Sequence, residues 1–444
     1  MIWLLLLSLA LQEDEPSPLE TLAAARDAAS AHPERAELQH ALGARYAALG
    51  RSQEALEALG RAAELAPEEP VYALDYGEAL YRAGRVSEAL PVLERAAALP
   101  ESHLLLASVH EKLGDSKRTI EELSLYVDAT PQDLEARLLL GGKLEEAKRG
   151  EEALALYRSG TDGKSLTRAA ELLSRSPSTQ GEAESAARRA LEADPSLLDA
   201  SLVLARVLAR TGREPEALAE LERARASSPD SPQLFYQLAQ AYQRSGHTRE
   251  AEESARKFQA LEAAEKGARE REARVAVTYK RAAEILSKGD MLEAERVFLS
   301  VLEIDPENTQ SRSMLAKIAF SKNDPAGATR WIEEAIEKDP QVAEYHYLRG
   351  LFQARTGDSA AEVSVRRSLE LDAAFPGAWS LLGSILLDSR RAEEALSCFL
   401  RAALLEPSNA AIQLNLASAY AALGRTLEEK EAMERYRLLT GSSR

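Results

Sequence analysis

Histidines and carboxylates are the side chains of this sequence whose types and spacing come nearest to a chemical site. His103 and His110 are seven residues apart, so on one helix they could share a face as two ligands of a metal ion. No cysteine or third histidine completes a metal set, and His110 occupies a packing position in the pattern. Paired carboxylates such as Glu145 and Glu146 carry no acid–base information, because solvated helix faces supply them everywhere. We therefore predict that the two histidines are structural and that these glutamates lie on a solvated helix face.

The other residue patterns that carry chemistry are missing from the sequence. It has no phosphate-cradling glycine loop, no Gly-x-Ser-x-Gly nucleophile motif and no His-Glu-x-x-His zinc motif. The single cysteine, Cys398, cannot form an intrachain disulfide, and its place before Phe399 favours a small buried side chain over a reactive thiol. We expect no enzyme activity, no catalytic residue, no metal and no cofactor.

Regularly spaced prolines indicate the elements that would have to position any site. Three steps between these prolines are 34 residues, and the other steps, of 64, 64, 77 and 67, are each close to twice 34. A fixed period of this length is typical of a stack of similar supersecondary units rather than of one globular core. The prolines are Pro33, Pro67, Pro131, Pro195, Pro229, Pro306, Pro340 and Pro407.

Residues 376–407 show most clearly what each unit is. Trp379 and Leu382 in the first half, and Phe399 in the second, belong to apolar sets at helical spacings of three and four. Gly383 is small enough to let the partner helix approach. We therefore predict a helical hairpin, in which Trp379→Ala or Phe399→Ala would each cost about 3–5 kcal/mol if the side chain is buried.

In most of the other units a glycine stands between the two halves, and a proline follows the second half. Glycine supplies the left-handed residue that ends the first helix and turns the chain. Proline lacks the amide hydrogen that would continue the second helix. The turn glycines are Gly50, Gly84, Gly114, Gly212, Gly246, Gly289, Gly357 and Gly424.

At these residues the chain resembles the tetratricopeptide repeat family. The family pattern has a bulky apolar residue at the fourth place, small residues at the eighth, twentieth and twenty-seventh, and proline at the thirty-second. Framed in this way the sequence has twelve units, although the second and fourth are about four residues short and the fifth lacks the turn glycine. The units begin near Ala36, Pro70, Pro100, Leu134, Lys164, Leu198, Pro232, Val275, Thr309, Ala343, Pro376 and Ala410.

The resemblance implies an all-α fold, an α-solenoid in which about twelve helical hairpins wind into a right-handed superhelix. Residues 18–32 would form a helix that caps its amino-terminal face. The units fall into two blocks, residues 18–258 and 275–444, separated by a charged helical insertion at residues 259–274. Few long-range contacts can cross a charged single helix, so we expect a hinge there.

The amino terminus has a separate composition. Residues 1–10 are apolar, too short to span a bilayer, and end in Ser-Leu-Ala; residues 11–17 form an acidic linker. We interpret the apolar run as a signal peptide, which predicts a protein exported to the periplasm; without it the protein would be cytoplasmic. The alternatives are an apolar turn that packs on the first helix, or a misplaced start codon.

Composition limits the partners. The net charge is −17 and arginine far outnumbers lysine, a skew that indicates a GC-rich bacterial genome. A chain this acidic should be repelled by nucleic acid and by anionic lipids, so we expect protein partners and no stable membrane span.

The family resemblance also implies where a partner would bind. Family members bind through the second, fifth, ninth, twelfth and thirteenth places of the first helix of each unit. In units five to seven these places gather arginines, and in units three and four they gather glutamates. The predicted peptide-binding residues are Arg168, Arg175, Arg206, Arg210, Tyr236, Gln240 and Arg244, with Gln233 and Gln243 between them. The acidic stretch is Glu101, Glu111, Glu135, Glu145 and Glu146.

These residues predict a scaffold that binds a peptide or protein segment in the concave groove. The ligand would be an acidic segment or a carboxyl terminus, with basic ligand residues reaching the acidic stretch. Alternatively, the arginines neutralise neighbouring glutamates or face solvent. Two other functions remain open: a structural spacer or assembly subunit of a bacterial cell-envelope complex, and the regulatory part of an enzyme system.

Overall fold

In the computed structural model, which describes residues 18–441, every regular element is helical. These residues form 24 α-helices and one short 3₁₀-helix at Pro177–Thr179, and they contain no strand. Contacts divide the chain into two compact units: residues 25–267 form the N-terminal unit, and residues 268–441 lie in the C-terminal unit. The predicted all-α solenoid of repeats is confirmed.

The helices up to residue 247 have conventional lengths. They are α1 (Pro18–Ala31), α2 (Ala36–Ala48), α3 (Ser52–Leu65), α4 (Pro70–Arg82), α5 (Val86–Glu94), α6 (Pro100–Lys112), α7 (Ser116–Ala129), α8 (Leu134–Glu146), α9 (Gly150–Ser159), α10 (Gly163–Leu173), α11 (Gln180–Ala193), α12 (Leu198–Arg210), α13 (Glu214–Ser227) and α14 (Pro232–Arg244).

A 40-residue helix follows, and then the helices of the remaining repeats. They are α15 (Thr248–Ser287), α16 (Met291–Ile304), α17 (Thr309–Ser321), α18 (Pro325–Lys338), α19 (Ala343–Thr356), α20 (Ala361–Leu371), α21 (Pro376–Asp388), α22 (Ala392–Leu405), α23 (Ala410–Ala422) and α24 (Thr426–Thr440).

The predicted unit starts lie within one residue of a helix start in all but one unit. Ten of the helices begin at the predicted residue, and α10 begins at Gly163, one residue before the predicted Lys164. The exception is Val275, which lies inside α15. The proline and glycine signals therefore predict the hairpins well, because each acts on the backbone at its own position.

Close packing inside each hairpin depends on the small residue at the eighth place. A Cβ atom added to Gly383 would lie 2.6 Å from Phe399 Cε1, and one added to Gly43 would lie 2.6 Å from Leu59 Cγ. The side chain of the second helix therefore occupies the space that a larger residue would need. Phe399 is only 1% exposed, whereas Trp379 is only half-buried.

The turns between paired helices adopt the left-handed conformation. All eight predicted turn glycines have φ between 70° and 87°. In three of the four units that lack a glycine at this place, Lys148, Asn323 and Arg390 take φ values of 61–62°. An L-residue pays a steric cost there, so the turn geometry is imposed by the packing of the hairpin.

Helix α15 carries the segment that the sequence marks as an insertion. From residue 262 to residue 274 every residue is exposed except Gly267, which is intermediate. The stretch is a helix, and its role as a hinge stays a prediction.

The proposed signal peptide at residues 1–10 and the linker at residues 11–17 lie outside the described residues. Among helices of the described chain, none combines the length and apolarity needed to cross a membrane.

Candidate functional site

An open cleft in the N-terminal unit brings together most of the predicted binding residues. It lies between α12 and α14, the first helices of units six and seven, and has a volume of about 700 Å³. Helix α13 contributes Ala217 and Leu221, and α15 contributes Phe258 and Glu262. We call it the arginine cleft, after its lining residues Arg206, Arg210 and Arg244, which Gln233, Tyr236, Gln237 and Gln240 accompany.

A rigid core supports this cleft. Leu204 and Leu208 on α12, Leu221 on α13, and Leu234 and Leu238 on α14 are each at most 2% exposed and belong to one apolar cluster. Interiors packed this closely hold their side chains in single conformations. The helices that carry the arginines are therefore fixed relative to each other.

The three arginines of the cleft have no carboxylate partner among the described residues. Arg206 and Arg210 lie one turn apart on α12, and Arg244 lies at the end of α14. Arg210 Nη1 donates a hydrogen bond to the carbonyl oxygen of Ser174 at 2.5 Å. Arg206 and Arg244 make no hydrogen bond or ion pair within residues 18–441, and both are exposed. The only acidic lining residue is Glu262, so the cleft presents excess positive charge.

One face of α14 supplies hydrogen-bonding and aromatic groups beside the arginines. Gln233, Tyr236, Gln240 and Arg244 follow each other at helical spacings along this face. Ser231 caps the helix, since its Oγ accepts a hydrogen bond from the Leu234 amide at 3.3 Å. Tyr236 is 50% exposed, and its ring lies 5.4 Å from that of Phe258 between centroids. The face therefore offers side-chain amides next to an aromatic surface.

The structure places Arg168 and Arg175 away from the cleft, where both bind Glu145. Arg168 Nη2 lies 2.7 Å from Glu145 Oε1, and Arg175 Nη2 lies 3.0 Å from Glu145 Oε2. The hydroxyl of Tyr157 donates to the same carboxylate at 3.2 Å, and burial raises the pKa of this tyrosine. Arg168 also binds Glu171. Neighbouring glutamates therefore neutralise Arg168 and Arg175, as in the alternative interpretation of the arginines.

The acidic stretch is partly neutralised as well. Lys143 Nζ lies 2.8 Å from Glu111 and 3.1 Å from Glu146, and hydrogen bonds to both raise the pKa of the lysine. Exposed Glu101 and Glu135, in contrast, form no ion pair within the described part of the chain. Gln243 is exposed but does not line the cleft.

The histidines have structural surroundings. His103 Nδ1 lies 2.7 Å from Glu122 Oε2, and His110 is buried in the core. No group of three or more potential metal ligands occurs between residues 18 and 441. Cys398 is 7% exposed, and burial raises the pKa of its thiol to about 11, which suppresses the reactive thiolate.

Sequence reasoning missed the residues that the second helices contribute. Phe258, Glu262, Ala217 and Leu221 all lie outside the family's groove places, and Gln237 lies between two of them. Phe258 could have been found, because it is the only aromatic residue in the 30 residues from Thr248 to Val277. The contact between the rings of Phe258 and Tyr236 depends on how α14 and α15 cross, and the spacing of residues in the sequence does not specify that crossing.

Comparison with known proteins places repeats along most of the chain. Three family models described as tetratricopeptide repeat match it: one at residues 181–234 and 286–352, a second at 40–103 and 380–441, and a third at 232–265. A human protein, Superkiller complex protein 3, is 37% identical over 65 residues, which are 15% of this chain and 4% of that protein. The chain therefore matches only a small part of this curated relative.

Solved structures resemble the chain only loosely. The crystal structure of MamA is 20% identical, with a TM-score of 0.33, and the match covers 36% of this chain and 94% of that one. The crystal structure of the APC/C hetero-tetramer Cut9-Hcn1 is 12% identical, with a TM-score of 0.37, and the match covers 96% of this chain and 91% of that one.

Proposed function

We propose that this chain, which belongs to the tetratricopeptide repeat family, binds an acidic segment of a partner protein in the arginine cleft. Tetratricopeptide repeats are protein-interaction modules and are typical of non-enzymatic proteins, so the coarse function is that of an interaction scaffold. The observation that carries the finer proposal is the pair Arg206 and Arg244, two exposed guanidinium groups without a partner in the described chain.

The N-terminal compact unit also contains, among its own residues, an example of the recognition that we propose. Glu145 is held by Arg168, Arg175 and the Tyr157 hydroxyl, which together donate to both of its oxygens. Arginine suits this role because its planar fork matches a carboxylate and stays charged at any physiological pH. Arg206, Arg210 and Arg244 would give a ligand carboxylate the environment that Glu145 finds within the chain.

The neighbouring groups favour an extended segment over a small anion. Gln233, Gln237 and Gln240 carry side-chain amides that can donate to and accept from a peptide backbone. Tyr236 and Phe258 form an aromatic surface that can cover an apolar side chain. A peptide with an acidic residue beside an apolar one would use both features.

The acidic stretch gives the ligand a second preference. Glu101 and Glu135 are exposed and unpaired in the described chain, while the glutamates nearest to the arginines are neutralised. A longer ligand with basic residues on one side of its acidic segment would pair with both surfaces. Rim charges of this kind raise the association rate and set orientation more than they add affinity.

A displayed library of random nonapeptides, selected on the immobilised full-length chain, tests the proposal. Selection on the wild type should enrich peptides rich in Asp and Glu, and Arg206→Glu with Arg244→Glu should abolish that enrichment because ligand and cleft would repel each other. The helical signal should stay the same in the variant, since neither arginine makes a hydrogen bond or ion pair within the described residues and both are exposed.

A matched control makes the same charge change elsewhere. Arg189 and Arg256 are exposed arginines on α11 and α15 that bind no carboxylate in the described chain. Arg189→Glu with Arg256→Glu should leave the enrichment unchanged. If both double variants lose it equally, net charge rather than the cleft governs binding, and the proposal is wrong.

A further inference from the structure

One packing place of the repeat is uncovered in unit eight. The residue at the third place of the first helix is at most 4% exposed in nine of the twelve units, and it is half-buried in units one and two. The nine buried residues are Ser102, Ala136, Leu166, Ala200, Leu234, Ser311, Tyr345, Ala378 and Ile412. In unit eight the third residue is Val277 on α15, and it is 71% exposed. Within the described chain, Val277 therefore lacks the cover that this place has elsewhere.

The other units show what kind of element covers the third place. Ala200 shares an apolar cluster with Ala190, and Ile412 shares one with Ala402. Ala190 and Ala402 stand at the twenty-seventh place of the unit before, on the second helices α11 and α22. A small residue at such a contact lets two helices approach closely. The third place is therefore one where a second helix packs, through a small residue, on a first helix.

Basic residues surround Val277. The neighbours of a residue on its helix face are those three and four positions away. For Val277 they are all exposed, and they are Ala273, Arg274, Lys280 and Arg281. The three basic side chains form no hydrogen bond or ion pair within residues 18–441. Glu270 and Glu284 lie on the same side, but each is seven positions from Val277. We call Val277 and its four neighbours the Val277 face.

A second exposed valine shows what is particular to this face. Val363 on α20 is 69% exposed, and Arg366 and Arg367 follow it at three and four positions. Both arginines are neutralised: Arg366 Nη2 lies 2.7 Å from a carboxylate oxygen of Glu362, and Arg367 Nη1 lies 2.9 Å from one of Glu370. The residue types are the same at the two places. In the described chain, however, the Val277 face keeps its positive charge unpaired in a protein whose net charge is −17.

The Val277 face stands on a fixed helix. On another side of α15, Ala282 is 0% exposed and belongs to a core cluster with Phe298, and the Tyr279 ring lies 5.4 Å from the Phe298 ring between centroids. A surface that does not need to rearrange saves the ordering cost of binding. Arg274 and Arg281 are two turns apart, about 10 Å along the helix axis. Carboxylates two turns apart on a partner helix have the same separation.

We propose that the Val277 face binds an acidic amphipathic helix of a partner protein. A small residue of that helix would lie against Val277, as an alanine does at the equivalent place between other units. Carboxylates one turn to either side would pair with Arg274 and Arg281. An anionic membrane is a poorer occupant, because the net charge of −17 repels it. This surface is separate from the arginine cleft, so the inference does not depend on the function proposed for that cleft.

The test selects a displayed library of alanine-based helical peptides of about 18 residues, long enough to form helices in water. The bait is the full-length Arg206→Glu, Arg244→Glu variant, so that the arginine cleft does not compete. We expect enrichment of peptides that carry Asp or Glu two turns apart with a small residue between them. Proline at the centre of the best peptide should abolish binding, because proline breaks a helix, whereas alanine at the same position should not.

Two changes to the face, each made in the bait, test where the best peptide binds. Val277→Asp should weaken binding at least about tenfold, because the new carboxylate would be buried among the acidic groups of the ligand. Arg274→Glu with Arg281→Glu should weaken it at least as much, because the ligand and the face would repel each other. Val363→Asp is the matched control for the first change and should leave binding unchanged, since that valine is equally exposed but its arginines are paired.

Each other result overturns the inference. A library from which nothing is enriched, or a best peptide that tolerates Val277→Asp or the central proline, would show that the face binds no acidic helix. Equal losses in Val277→Asp and Val363→Asp would show that net charge governs binding. Self-association that Val277→Asp abolishes, measured by sedimentation equilibrium, would make a second copy of the chain the occupant. Binding to phosphatidylglycerol vesicles that Arg274→Glu with Arg281→Glu abolishes would make it a membrane. None of these results bears on the arginine cleft, which is already altered in the bait.

Discussion

At the scale of single residues, the fourth place of a unit often carries a nitrogen donor that reaches back six residues. Arg312 Nη2 donates to the Pro306 carbonyl at 2.6 Å, His346 Nε2 lies 2.9 Å from the Pro340 carbonyl oxygen, and Trp379 Nε1 donates to the Ala373 carbonyl at 2.8 Å. These carbonyls lie in the turn that precedes the helix, where no backbone amide is left to serve them. In these units the fourth residue therefore ties the unit to the one before it.

Two aromatic residues of unit eleven should differ in their contribution to stability. Phe399 is 1% exposed against Gly383, so Phe399→Ala should cost about 3–5 kcal/mol. Trp379 is only half-buried, so Trp379→Ala should cost less than the value expected for a buried residue. Urea unfolding monitored by circular dichroism would compare them. If both variants lost the same free energy of unfolding, the exposure of the wild-type side chain would not determine the cost of its removal.

At the scale of elements, what could be predicted from the sequence depends on how local the signal is. Proline, glycine and apolar spacing act within one hairpin, and the predicted helix starts were accurate for that reason. The pairing of Arg168 and Arg175 with Glu145 joins residues 23 and 30 positions apart. Such contacts depend on the stacking of successive units, so the sequence predicts a set of arginines but not which of them are free.

The turn between paired helices offers an element-scale test. Arg390 has a φ of 61°, which costs an L-residue about 1–2 kcal/mol that glycine does not pay. Arg390→Gly should therefore raise the melting temperature, although the flexibility of glycine in the unfolded chain offsets part of the gain. The converse change, Gly424→Ala at φ 71°, should lower it. A lower melting temperature for Arg390→Gly would show that its side chain makes a larger contribution than the turn strain.

At the scale of the whole molecule, one kind of ion pair recurs along the solenoid: it joins the second helix of one unit to the arginine that precedes the second helix of the next. Glu362 binds Arg366 on its own helix and Arg391 of the next unit. The distances from its carboxylate oxygens to the guanidinium nitrogens of these arginines are 2.7–3.0 Å. Hydrogen bonds from Arg366 and then Arg391 lower the pKa of Glu362 despite partial burial. Glu184 likewise binds Arg188 on its own helix and Arg213 of the next unit. Burial raises the pKa of Glu184, but the hydrogen bonds from the two arginines outweigh it, so the pKa is lowered.

These lowered pKa values predict acid sensitivity. A carboxylate whose pKa is depressed in the folded state stabilises the fold above its unfolded value of 4.5, and this contribution is lost as the pH falls through the folded value. The urea midpoint should therefore be nearly constant from pH 7 to about pH 5 and fall below it. Glu362→Gln should flatten part of that fall. A midpoint that rises on acidification would mean that relief of the net charge of −17 outweighs these pairs.

The central claim is that the arginine cleft recognises carboxylates, and a charge swap tests it most directly. The measurement is the dissociation constant of the best acidic nonapeptide, and of its Lys-for-acid counterpart, on the wild type and on Arg206→Glu, Arg244→Glu. The account predicts that the acidic peptide binds only the wild type and that the basic peptide binds the variant more tightly than it binds the wild type. An acidic peptide that binds both proteins equally would contradict it.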